Sequence, residues 1–165
     1  MKMFVILCAA LLSSGAIAAE VHTKFIEGAP KDRFAISYTG TCTMENVEIT
    51  IDLSTAPAGL IFDVTGTGAG VDVFQPFELT AGHDLISNPP QVEDGDQSVT
   101  LRLTSLAEGQ GVDFTIDVDD TEGTRPTMIS DAEITGAAVT VVTANGSAQG
   151  TFDGTAAATV RLPNC

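Results

Sequence analysis

The stretch "FTIDVDDTEGT", Phe114 to Thr124, carries Asp117, Asp119 and Asp120 within four residues. In an extended strand Asp117 and Asp119 project to the same side, roughly 7 Å apart, with Asp120 at the start of a turn. Carboxylates so placed repel unless water, a basic neighbour or a cation screens them. A calcium ion takes six to eight oxygens, and a strand end rich in acids and turn carbonyls is a reasonable nucleus for such a shell. Three local carboxylates are too few, so a second acidic segment has to converge on them. Glu93, Asp94 and Asp96 in "VEDGDQ" are the candidates. The competing reading is a solvated acidic face, in which Asp120 and Thr121 shape the turn by side-chain to backbone hydrogen bonds. The segment is not an EF-hand loop, because its glycine falls at 123 where 122 is required and Met128 stands in place of the bidentate glutamate.

Other chemistry has few residues to draw on. The two histidines, His22 and His83, sit in no catalytic motif, and there is no C-x-x-C pair for zinc. "TGTGAG" at 65–70 lacks the G-x-G-x-x-G spacing, and no lysine or helix follows, so it reads as a flexible connection between strands. The chain is therefore expected to be a binding protein and not an enzyme. A hydrolase built on a pair of carboxylates is the alternative from a different class.

The elements that must position these residues follow from a period of two. In "VEITIDLS" Val47, Ile49, Ile51 and Leu53 share one side, and "SVTLRLTSL" and "DFTIDVDD" repeat the alternation. Further strands are expected near 21–26, 33–39, 59–64, 71–80, 128–134, 137–144, 147–152 and 156–162. Gly, Pro, Asn and Asp clusters lie between them, and Asn145-Gly146 is the strongest hairpin signal. About ten short strands at this spacing predict an all-β fold, a single antiparallel β-sandwich of the Ig-like or Greek-key type. The phenylalanines at 25, 34, 62, 74, 77, 114 and 152 supply its core.

Residues 1–19, "MKMFVILCAALLSSGAIAA", have the layout of a secretory signal peptide: Lys2, a short apolar run and a small-residue end. The domain proper is then 20–165, and the protein is expected to be secreted, to the extracellular space or the periplasm. Loss of the leader leaves six basic residues against twenty-two acids, a formal charge of −16. Such a field disfavours nucleic acid and anionic lipid, and no later apolar run is long enough to insert in a membrane. Two cysteines remain, Cys42 and Cys165, and an exported chain with two cysteines most simply joins them in one disulfide.

Taken together, "FIEGAPKDRF", "GLIFDVTGTGAGVDVFQPFE" and "FTIDVDDT" followed by "ISDAEITGAAV" resemble a family of small secreted bacterial proteins labelled aggregation factor core protein. The similarity runs along essentially the whole domain. The label implies kinship with calcium-dependent extracellular cell-adhesion assemblies. It thereby implies an interaction or adhesion module, a protein or cell-surface partner, and calcium as the cation at Asp117, Asp119 and Asp120. A structural accessory domain of an envelope complex is a further alternative.

Overall fold

A computed structural model describes residues 19–70, 73–122 and 128–162. Residues 1–18 of the proposed leader and Cys165 lie outside the described residues, while its last residue, Ala19, opens β1. The fold is an all-β sandwich of two antiparallel sheets. Ten strands run in the order β1 (Ala19–Ile26), β2 (Asp32–Thr39), β3 (Met44–Asp52), β4 (Leu60–Asp63), β5 (Glu78–Ala81), β6 (Ser98–Leu106), β7 (Gly111–Asp120), β8 (Ala138–Thr143), β9 (Gly146–Thr151) and β10 (Ala157–Leu162). One sheet has the order β10-β1-β2-β7-β4, with β5 also paired to β7, and the other is β6-β3-β8-β9.

Alternation along the strands fills the space between the sheets. Phe34 lies at its centre, with ring centroids 5.1 Å from Phe25, 5.1 Å from Phe114, 6.5 Å from Phe62 and 6.3 Å from Phe152. Val47, Ile49, Ile51, Leu101, Val139 and Val141 close it from the second sheet, all fully buried. Two phenylalanines depart from the expected inward set. Phe77 is only partly buried and stacks on Phe114 at 4.9 Å, and Phe74 is 38% exposed.

Three element expectations need correction. Residues 128–134 do not form a strand, since Asp131–Ile134 is one helical turn, α1. Its start carries the S-x-x-E signature: the Ser130 N–H and hydroxyl donate to Glu133 Oε2 at 2.7 and 2.6 Å, which satisfies the first turn locally. In the described part of the expected strand 71–80, the ladder with β7 runs only from Glu78, and residues 73–77 are irregular, with Gln75 N–H donating to Asp63 O at 3.2 Å and Asp117 N–H to Gln75 O at 3.1 Å. The β8–β9 hairpin forms where expected, but Thr143 pairs with Gly146, so the two turn residues are Ala144 and Asn145. Gly146 instead opens β9, with φ +132°.

The acids at the end of β7 are placed by pairing with β4 along one edge. β7 pairs with β2 and β5 along its first half and with β4 along its second, where Ile61 faces Asp119 and Asp63 faces Asp117. The far edge of β4 is taken by the turn at 93–97: Phe62 N–H donates to Asp96 O at 2.8 Å and Gly95 N–H to Phe62 O at 2.9 Å. The Gln97 side-chain amide also donates to Leu60 O at 3.0 Å.

Candidate metal centre

Strand geometry assembles the site on the outer side of the first sheet. Phe114, Ile116 and Val118 of β7 and Leu60 and Phe62 of β4 point into the core, so Asp117, Asp119, Ile61 and Asp63 share the opposite side. Side chains directly opposite in an antiparallel ladder sit about 5 Å apart at Cβ, and i, i+2 neighbours a little farther. Two adjacent ladder positions thus bring three aspartates together. Each offers an oxygen within 4.8 Å of the others.

Outer-face residues are ordinarily wet, but these are not: Asp63, Asp117 and Asp119 are 0%, 4% and 1% exposed. Over Asp63 lies the segment after β4, with Gly70 packed against its carboxylate. Asp94 Oδ2 accepts from Ala69 N–H at 2.6 Å, and its Oδ1 from Val64 and Thr65 N–H at 3.1 and 3.3 Å. Asp94 thereby binds the "TGTGAG" segment down across the acids. The glycines serve close approach here: a Cβ at Gly70 would lie 2.1 Å from Asp63 Oδ2, and one at Gly68 1.8 Å from Asp94 Oδ2. Reading 65–70 as a merely flexible connection missed this packing requirement.

The electrostatics are one-sided. Burial, then the neighbouring carboxylates of Asp94 and Asp119, push Asp63 up to about 7. Asp117 is likewise pushed to about 7 by burial and then by Asp119, Asp32 and Asp63. Asp94, less buried and held by the backbone N–H of Ala69 above all, is lowered instead. Neither oxygen of Asp63 has a hydrogen-bond donor, nor does Oδ2 of Asp117. Among the described residues, the basic side chains are engaged elsewhere, in the pairs Lys31–Glu78, Arg33–Asp113, Arg102–Glu48 and Arg161–Glu20 and in the contact of Lys24 with Thr155 O. A buried, undonated carboxylate costs several kcal/mol when ionised, so this one needs a proton or a cation.

An all-oxygen donor set of three carboxylates suits a hard cation and lacks the nitrogen or sulfur that zinc prefers. Calcium, with long bonds and flexible geometry, fits a site built from strand side chains and a loop better than magnesium, which demands a tight octahedron.

The sequence-derived candidates separate. Asp117 and Asp119 come together with Asp63, and Asp94 from the second loop lies beside Asp63. Asp120 takes the inward phase of β7, opposite Leu60, and its Oδ1 accepts from Glu122 N–H at 2.7 Å. Thr121 beside it donates to Gly59 O at 2.7 Å, so this end of β7 is a hydrogen-bonded turn. Glu93 is exposed, and Asp96 Oδ2 is taken up by the Glu93 N–H at 2.8 Å. Sequence reasoning missed Asp63 and Asp32. Asp63 ends the apolar run "GLIFD" in the outward phase, a usable signal only once β4 is known to lie beside β7. Asp32 caps the edge of β7: its carboxylate accepts from Val118 N–H at 3.0 Å and Gly28 N–H at 3.1 Å. Burial raises it to about 7, opposed by those two donors.

Cys42 is disulfide-bonded, and Tyr38 Oη donates to its carbonyl at 3.0 Å. His22 lies in β1 between the hydroxyls of Thr159 and Thr39, and not in a loop. No helix among the described residues is long and apolar enough to cross a membrane. The chain matches no protein-family model and no curated protein.

Proposed function

We propose that the chain is a secreted, calcium-binding β-sandwich that serves as an extracellular interaction or adhesion module. The observation that carries the cation is Asp63: fully buried, undonated at both oxygens, and facing Asp117 and Asp119. A cation at this centre offsets the charge that burial makes costly, and so couples the native state to calcium. The partner class is another protein or a cell-surface component, as the label of the aggregation factor core family that the chain resembles implies. The Cys42–Cys165 disulfide, by this reading, ties the last residue to the loop after β2.

Raised carboxyl groups also suit hydrolysis, but acid–base work on a substrate needs space beside the acids. Among the described residues, one cavity of about 690 Å³ lies along β6 and residues 87–91, and another of about 250 Å³ along β1, β2 and β10. None of Asp63, Asp117 and Asp119 lines either one. A cation explains the cluster without a substrate.

The deciding measurement is a thermal melt of the secreted protein at pH 7.5 with millimolar calcium, with millimolar magnesium and with excess chelator. At a hundredfold excess over Kd, calcium adds about 2.7 kcal/mol to native-state stability. Equal melting temperatures in calcium and chelator would sink the reading. A pull-down from spent medium in the same two conditions reports the partner and its cation dependence.

A further inference from the structure

We infer that Asp94 couples occupancy of the cation centre to the conformation of the exposed Val64–Gly70 loop, so that calcium is read out on the protein surface. This coupling rests on the calcium reading of the centre and adds a consequence to it.

The acid cluster alone would not carry this, but two independent features do. Asp63 is a fully buried carboxylate with no donor at either oxygen, aimed at the space beside Asp94. Asp94 in turn supplies the acceptor for three backbone N–H groups of the loop, those of Val64, Thr65 and Ala69. Residues 65–69 are otherwise exposed, held within the loop by Thr65 Oγ1 donating to Thr67 O at 2.7 Å. They bury no large apolar side chain of their own. Among the described residues, their hydrogen bonds to the body of the sandwich run through the Asp94 carboxylate.

That carboxylate has two roles that conflict when the centre is empty. Ionised, it is the best acceptor for the loop, but it then stands against the ionised carboxylates of Asp63 and Asp119 in a space shielded from water. Where neither a cation nor a proton on Asp63 relieves it, the repulsion is lowered most cheaply by moving the partly exposed member, which is Asp94, and with it the loop. With a cation, Asp94 is drawn toward Asp63, and its three acceptor bonds hold the loop against the sheet. Gly68 and Gly70 make the closed arrangement possible, since a Cβ at either would overlap the carboxylate beneath it. The moving surface displays Thr65 and Thr67, and the ring of Phe74 packs against Gly66.

The test is backbone amide exchange at Val64, Thr65 and Ala69 with calcium and with chelator, run beside thermal melts on the same samples. Wild type is expected to show at least tenfold slower exchange at these amides in calcium. Asp94→Ala is expected to lose that difference while calcium still raises its melting temperature. Loss of both effects in Asp94→Ala also supports the coupling, with Asp94 then an obligatory ligand. Asp94→Asn keeps a side-chain oxygen for the loop without the charge, and is expected to give exchange that no longer depends on calcium. If calcium raises the wild-type melting temperature but leaves exchange at 64–69 unchanged, the coupling is overturned and the calcium site stands. If calcium changes neither in wild type, the calcium reading has failed and the coupling with it.

Discussion

Asp63 and Asp117 stand directly opposite one another in the β4–β7 ladder, and both side chains are buried. Like charges in that position are destabilising even on an exposed sheet, and here water is largely excluded. Asp63→Asn keeps the shape and removes one charge. At pH 7.5 in chelator, it is expected to be more stable than wild type by roughly 1 to 3 kcal/mol, since the cost of a buried uncompensated charge is lifted. In calcium the order reverses, because the variant has lost a ligand. Denaturant titrations in the two conditions measure both signs, and a variant less stable than wild type in chelator would show that Asp63 is already compensated.

The acid groups also set a pH dependence. Asp32, Asp63 and Asp117 have folded-state values raised to about 7 from the ordinary 3.8, so between these limits the native state holds more protons than the unfolded chain. Stability in chelator must then fall as pH rises from about 4 through about 7, and level off above that. This runs opposite to the usual carboxylate that is ion-paired in the native state. By the proposed calcium reading, the ion would compete with those protons at Asp63 and Asp117, so the fall is expected to shrink or vanish in its presence. Melting temperatures at pH 5, 6, 7 and 8 with and without calcium give the comparison. A rise with pH in chelator would contradict the burial of ionisable acids.

Much of the sandwich was readable because it rests on local pattern. Alternation in 47–53, 99–103 and 114–118 placed Val47, Leu101 and Phe114 in the core without knowledge of strand order. The site was half readable. Asp117 and Asp119 are visible as i, i+2 acids on one strand, but their burial depends on β4 lying beside β7 and on a loop from elsewhere covering them. No local pattern records either. For the same reason Asp63 and Asp32 were invisible: each becomes a cluster member through a ladder or capping contact, 54 and 86 residues from Asp117 and Val118 in sequence. Residues 128–134 misled for a different reason, since an apolar Met-Ile pair suggests a strand while Ser130 and Glu133 encode a helix start.

Gly70 is held against Asp63 by close approach, and not by backbone conformation. A Cβ there would lie 2.1 Å from Asp63 Oδ2 and 2.6 Å from its Cβ, so rotating the carboxylate cannot clear it. Gly70→Ala is expected to weaken calcium binding at least tenfold by calorimetric titration while leaving the sandwich folded, because the covering loop lies outside the core. Gly154→Ala is the control, since nothing lies within 4 Å of its added methyl. Equal affinities for the two variants would show that the loop does not close over the cation.

Cys42 lies three residues past the end of β2 and is disulfide-bonded, with its carbonyl accepting from the Tyr38 hydroxyl. The proposed partner, Cys165, is the last residue of the chain, so the bridge would close a loop of more than a hundred residues and fix the segment after β10. A loop of that length is worth about 4.7 kcal/mol by chain entropy, and native disulfides removed from small secreted domains typically cost about 2 to 5 kcal/mol. Cys42→Ser is expected to lower stability within that range at fixed calcium, without altering the number of ions bound, because the bridge contributes no ligand to the acid centre. Non-reducing peptide mapping is expected to recover Cys42 joined to Cys165. Recovery of Cys42 as a free thiol, or an unchanged melting temperature on reduction, would remove the bridge from the account of what holds this fold.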